Sequence, residues 1–319
     1  MPSAKKLLKA IDDKIIAQNK PEFRTHLGAS VIGHECLAYS WFTFRWAKAR
    51  QNKAAMCRLL DRGHREEERF VRWLRDADVT VWDKDENGNQ FRVSDCEGHL
   101  GGSLDGVGKN FPDFKLTPAL TEFKTHGEKS FKDLVKKGVQ KSKPRHYDQM
   151  QVYMYKAELK IALYMAINKN NDELHLEWVR LDPAKAASLI ERGRYIIFSD
   201  ERPLRLSNKP SWYECKWCAF HKICHYGELP AINCRTCAHS TPVENKQWSC
   251  QRIRCAIKLY PKVGCHDHVY NPHMLNRCEM VGCDKDKNYI ELLLPDKRRI
   301  KNGPHHVPST KLDEVITRG

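Results

Sequence analysis

Gly101-Gly102-Ser103-Leu104-Asp105-Gly106-Val107, followed after a loop by Leu120-Thr121-Glu122-Phe123-Lys124, is the stretch whose reading decides the fold of this chain. The second piece has the pattern of a short strand. Side chains alternate faces along a strand, so Glu122 and Lys124 share one surface while Phe123 turns into the core. The glycine-rich piece ends a strand at Asp105, and the piece bearing Glu122 is its hairpin partner. Two carboxylates that can share a divalent ion, with a lysine one residue past the second, are what metal-assisted phosphodiester hydrolysis needs. Alone, a Glu-x-Lys is usually solvated and an aspartate before glycine is usually a turn residue. Their order, and what surrounds them, give them meaning.

Outward from this pair, apolar spacing predicts helices over residues 1–18 (Leu7, Leu8, Ile11, Ile15 and Ile16 on one face), 26–46 (from an N-cap candidate at Ala29-Ser30 through Trp41, Phe42 and Trp46) and 52–76, with a turn at Pro21 between the first two. Strands are expected at 79–82 and 91–96, joined as a hairpin through Asn87-Gly88. Helices at 129–141 and 145–159 follow, with Pro144 suited to a first helical position. Strands at 161–168 and 173–181 and a helix at 183–197 complete a mixed sheet with helices on both faces, the α/β class.

The 319 residues are enough for one full catalytic domain and a smaller appendage. Lys and Arg number 55 against 40 Asp and Glu, a formal charge of +15 that suits a polyanionic partner better than a small neutral metabolite. There is no apolar run of membrane-spanning length and the N-terminus is charged, so the reading is a cytosolic protein without a signal peptide. Thirteen cysteines in such a setting read as metal ligands rather than disulfides, and the odd count argues against full pairing.

Ten of those cysteines lie from Cys215 onward, where apolar periodicity fades. Cys215, Cys218 and Cys224 supply three closely spaced thiolates, and Cys36 is an available fourth. Spacing alone leaves zinc and iron-sulfur open. Cys57 and Cys96 have no partner at ligand spacing and read as buried small hydrophobes. A second group suggests structural zinc, with Cys234, Cys237 and Cys250 as ligands and Cys265 or His268 as the fourth. Arg235, Lys246, Trp248, Arg252 and Arg254 interleave basic and aromatic side chains there, a pattern that fits either a grip on single-stranded DNA or a solvated surface. Residues 286–319, with one strand-like run at 289–294, read as a poorly ordered basic tail.

With the helix motif His146-x-x-Gln149-x-x-x-Tyr153 added, Asp105, Glu122 and Lys124 resemble the PD-(D/E)xK nuclease superfamily, and within it the RecB-type exonucleases and the CRISPR-associated iron-sulfur exonucleases. The proline of the superfamily's name is absent before Asp105. The resemblance implies a restriction-endonuclease-like mixed sheet over residues 1–228, and a bacterial or phage DNA exonuclease acting in recombination, repair or DNA processing. It implies that Asp105, Glu122 and the Phe123 carbonyl hold Mg²⁺ or Mn²⁺, that Lys124 orients or helps deprotonate water and offsets transition-state charge, and that Gln149 and Tyr153 lie beside the scissile strand. Gln151 and Tyr155 offer the same spacing in an alternative frame. In Arg62-Gly63-His64-Arg65-Glu66-Glu67, the RecB-type pattern maps a further ligand onto His64 and the lambda-exonuclease-like pattern onto Glu67; His64 is preferred.

The same resemblance implies a 4Fe-4S cluster on Cys36, Cys215, Cys218 and Cys224, stapling the two ends of the nuclease domain. Residues 229–285 resemble a small Cys-rich zinc module of phage proteins. The implied partners are single-stranded or duplex DNA ends and a recombinase, single-strand-annealing protein or helicase. The alternatives are a structure-specific endonuclease on the same site and a non-catalytic DNA-binding or regulatory protein.

Overall fold

The computed structural model describes residues 3–19, 23–49, 52–256 and 264–317; the turn read at Pro21 lies outside them. Helix α1 (Lys5–Gln18) is followed by a two-residue strand β1 (Leu27–Gly28) and the short helices α2 (Ala29–Ile32) and α3 (Leu37–Phe44). The long α4 (Ala54–Asp76) leads to β2 (Thr80–Trp82), β3 (Arg92–Asp95), β4 (Leu100–Ser103), β5 (Gly106–Lys109) and β6 (Ala119–His126). Then come α5 (Glu128–Ser142), α6 (Pro144–Lys156), β7 (Ile161–Asn168), β8 (Leu174–Arg180) and α7 (Pro183–Phe198). The C-terminal third holds α8 (Tyr213–Lys216), strands β9 (Ser240–Pro242), β10 (Trp248–Cys250), β11 (Cys255–Ala256), β12 (Glu279–Asp284), β13 (Tyr289–Leu293) and β14 (Arg299–Asn302), and α9 (Leu312–Thr317).

The expected mixed sheet is present, in the order β2-β5-β6-β7-β8. β6 and β7 are parallel and the other neighbours antiparallel. Every residue of β7 is buried, the near-continuous apolar run of a strand covered on both faces. Period-two alternation sorts the layers. Ala119 and Phe123 of β6 and Leu163 and Met165 of β7 pack with Phe70, Val71 and Leu74 of α4. Leu120, Ala162, Tyr164 and Ala166 face the other way, with Met150, Tyr153 and Met154 of α6. Among the described residues no helix is long and apolar enough to cross a membrane.

Three local expectations are corrected. The stretch 26–46 is not one helix: α2 and α3 are separated at residues 33–36, where Gly33 packs so closely on Asp148 of α6 that a Cβ would lie 2.6 Å from its carboxylate. The turn at Gly88 exists, with φ +78°, but β2 and β3 do not pair. β2 joins β5, while β3 joins β4 in a separate sheet of order β1-β4-β3. A lone two-stranded hairpin is marginal, and each strand has a better-covered partner elsewhere. The stretch from 286 is also ordered: β12, β13 and β14 form a sheet, and Leu292 and Leu312 are buried in a cluster with Val269, Tyr270 and Ile290.

The Cys-rich stretch is seated on the five-stranded sheet's own packing. Trp248 and Met274 belong to the main core, and Trp248 and Arg235 are each 1% exposed. The Arg235 guanidinium lies 3.8 Å from the Trp46 ring centroid and 4.7 Å from that of Trp248, and it donates to the carbonyls of Phe44 (2.9 Å) and Thr25 (2.8 Å). Neither side chain is therefore available to stack on DNA, which removes the centre of the basic-aromatic surface read at 235–254. An arginine is buried this completely only where carbonyls and ring faces replace its water.

Candidate active site

β6 carries Glu122, Lys124 and His126 on the face towards α6, and Phe123 on the other, where its ring stacks on Phe70 of α4 at 5.1 Å. Asp105 enters from the bend between β4 and β5, and its Oδ2 accepts the Phe123 N–H at 2.8 Å. Lys124 Nζ donates to Glu122 Oε1 and, at 2.9 Å, to the Phe123 carbonyl, and lies 3.7 Å from Asp105 Oδ2. Two carboxylates and a backbone carbonyl thus meet around one ammonium. Glu122 is fully buried and its Oε2 has no hydrogen-bond partner. A buried acceptor left so costs about 1–3 kcal/mol, more if charged, a cost that an added cation would remove.

Burial pushes Glu122 up to about 7 against the opposing pull of Lys124. The two carboxylates raise Lys124 further above the ordinary lysine range despite its burial, so it stays an ammonium. That suits it to orienting water and offsetting charge rather than removing a proton. From α4, Glu67 reaches the same charges: burial and the neighbouring Asp105 raise its pKa. His64 stands outside, its side chain 78% exposed and 3.7 Å from Glu67. Glu67 therefore lines the cavity beside Lys124, while His64 stands on its rim.

On α6, Tyr153 is buried, with its pKa raised by burial and by the charges of Glu122 and Asp105. Gly102 makes room for it: a Cβ there would collide with the Tyr153 hydroxyl. Gln151 has a different task, donating to the Arg180 carbonyl at 3.1 Å and accepting the Asp182 N–H at 2.7 Å, while Tyr155 is exposed. Of the two frames, Tyr153 is the tyrosine that feels the charges of Glu122 and Asp105.

Sequence reading missed a polar chain beside Lys124. The Tyr164 hydroxyl lies 2.9 Å from both His126 Nε2 and His146 Nδ1, and Ser130 Oγ is 3.2 Å from His126 Nδ1. Burial lowers His126 to about 4 and His146 to about 3, Lys143 and Lys124 respectively being the next influence, so both rings are neutral at physiological pH. The signal was available. His126 continues the alternation of Glu122 and Lys124, and Tyr164 is the register partner of Glu122. A cavity of about 430 Å³ opens here, lined among others by Glu67, Lys124, His126, Ser130, Lys143 and His146.

The cysteines fall into two neighbourhoods. Cys215 and Cys218 are raised first by burial, Cys218 to about 11, and both also feel Cys36 and Cys224. Cys234 (about 11) and Cys237 (about 12) are likewise raised by burial and by Cys250 and Cys265. His268 is engaged elsewhere, with Thr236 Oγ1 at 3.3 Å and Ser309 Oγ at 2.8 Å on its two ring nitrogens. Among the described residues, no three His, Cys, Asp or Glu side chains are drawn together closely enough to hold one ion as they stand. Cys57 and Cys96 are buried, and Cys96 Sγ lies 3.8 Å from the Ile190 carbonyl.

No family model and no curated protein matches the chain. Among solved structures, it is similar to an alkaline exonuclease (LHK-Exo) from Laribacter hongkongensis, at 17% identity over 58% of this chain and 90% of that one, with a TM-score of 0.40. LHK-Exo in complex with dAMP is similar at 14% identity over 59% and 90%, TM-score 0.39, and SSO0001 at 13% over 68% and 96%, TM-score 0.39. The likeness is distant, and the site described above rests on this chain's own geometry.

Proposed function

We propose that this chain is a Mg²⁺- or Mn²⁺-dependent DNA exonuclease that hydrolyses phosphodiester bonds from DNA ends. The observation that carries the reading is the buried Glu122, with one oxygen unpartnered, set against Asp105, the Phe123 carbonyl and Lys124. This oxygen-rich donor set fits a hard divalent cation, held by Asp105, Glu122 and the Phe123 carbonyl. Such an ion supplies Lewis acidity and an acidified water. Lys124, kept protonated by its two carboxylates, orients the attacking water and offsets charge on the phosphorane-like transition state. Glu67 takes the place on α4 that the sequence favoured for His64, with the exposed His64 ring 3.7 Å from it on the outside. Gln149 and Tyr153 position the scissile strand.

Two further metal assignments belong to this reading. Cys215 and Cys218, each near enough to feel Cys36 and Cys224, would hold a 4Fe-4S cluster together with them. Tying Cys36, ahead of α3, to the segment after α7, it would favour threading an end over straddling an unbroken duplex. Cys234, Cys237, Cys250 and Cys265 would close on a structural zinc, drawn together by the ion itself. The test is digestion of end-labelled linear DNA and covalently closed circles with Mg²⁺ or Mn²⁺. Linear DNA should shorten progressively while circles persist; circles nicked as fast as linear DNA is degraded would replace the exonuclease with an endonuclease.

A further inference from the structure

Helix α5 places lysines at 129, 132 and 136, the three- and four-residue spacing that lines up one helix face, while Phe131 and Leu134 are buried behind them. All three lysines are exposed. Gly138, at φ +73°, breaks the helix, and α6 starts at Pro144. The break turns the chain back and brings Lys143 beside Asp133, at 3.9 Å. As a result Lys129, Lys132, Lys136 and Lys143 line a second cavity of about 630 Å³. Ser130 and Lys143 line this cavity and the one beside Lys124 alike, so the two adjoin. Glu128 and Asp133 are the carboxylates on this face. They pair with Lys132 (2.6 Å) and with Lys137 (2.6 Å), leaving the trough with a positive excess.

We propose that this trough carries the single strand of DNA on one side of the bond being cut, its phosphates passing from Lys124 across Lys143 and Ser130 to the lysine row of α5. The inference rests on the nuclease reading and adds a path to it. From Lys129 to Lys136 the helix advances roughly 10 Å, room for about two phosphates of an extended strand. Openings of these volumes have room for nucleotides. The neutral rings of His126 and His146 and the hydroxyl of Ser130 offer hydrogen bonds to a phosphate or sugar without demanding a particular base, and lysines hold phosphates as point charges.

The test reads binding alone. The full chain is titrated onto a fluorescein-labelled 20-nucleotide single strand without divalent metal, by fluorescence anisotropy, over a series of salt concentrations. In Lys129→Ala/Lys132→Ala/Lys136→Ala the slope of log affinity against log salt should fall by about 1.4, two phosphates at about 0.7 each, with binding weakened about tenfold or more at low salt. Lys143→Ala should lower the slope by about half as much, and the triple Lys→Arg protein should keep the wild-type slope. Lys285→Ala/Lys287→Ala, exposed lysines of the C-terminal sheet, should change nothing. An unchanged slope in the triple Ala protein, or an equal loss in the control, overturns the trough. Wild-type protein that binds with the expected slope but digests nothing with Mg²⁺ or Mn²⁺ overturns the nuclease reading instead, and a wild type that binds no DNA overturns both.

Discussion

The carboxylate site and the cysteine sites are organised in opposite ways. Asp105, Glu122 and Lys124 are placed by strand register and by a hydrogen bond from the Phe123 backbone, and Lys124 balances their charge. The cysteines lie in loops, short helical turns and short strands, and burial raises the thiols, which have no mutual attraction to draw them together. A sheet can hold a site ready before its ion arrives. A loop-borne site has to be assembled by the ion, and here the C-terminal third gains its rigidity from elsewhere, by lodging Trp248, Met274 and Arg235 against the main core.

The severest way to break that contrast is at Trp248. Trp248→Ala should destabilise the whole protein by about 3–5 kcal/mol, as for a large buried aromatic. Denaturant unfolding followed by circular dichroism and by loss of digestion should show the two transitions moving together; a sheet that keeps its stability would make the C-terminal third an independent appendage. Next is Lys124→Ala, for which metal-dependent digestion should fall about 10²–10³-fold with the fold retained, since the residue supplies charge and not packing. Activity within a few-fold of wild type would remove Lys124 from the mechanism.

The thiol sites are sharpened by metal analysis. Anaerobically purified protein should be brown, with about four irons and a separate zinc. Cys36→Ala or Cys215→Ala should bleach it and lower its melting temperature, whereas Cys234→Ala should lose zinc alone. Colourless protein with two zinc ions would reassign the first site. The smallest effect separates neighbours on α4: Glu67→Ala should cost about 10- to 100-fold in activity and His64→Ala less, because His64 acts through Glu67. The reverse order would restore His64 as the ligand.

Where backbone periodicity decides position, the residues could be read in advance. The alternation of Glu122, Phe123 and Lys124 gave their faces, and Pro144 the start of α6. Choices between neighbours on one helix could not be read that way, because His64 and Glu67 are a single turn apart and only the approach of α4 to the sheet separates them. Strand partnership failed at β2 and β3 because the Asn87-Gly88 turn encodes a local bend, whereas the partners lie beyond it: β3 pairs with β4, so closely that a Cβ on Gly101 would lie 2.5 Å from the Val93 carbonyl. Trp248 and Arg235 looked like surface because basic and aromatic residues alternate there, and nothing local announces that carbonyls of Phe44 and Thr25 await the guanidinium.

The Arg235 clasp also sets a timetable for biosynthesis. A chain emerging N-terminus first completes β8 well before residues 235, 248 and 274 leave the ribosome, an interval of roughly 5 to 20 seconds at about 5–20 residues per second. Throughout it the aromatic face of α3, with Trp41, Phe42 and Phe44, lacks its final cover. The nascent sheet is sticky during that window and reaches its finished fold only when the last third folds back on the first, so chaperone dependence should concentrate there.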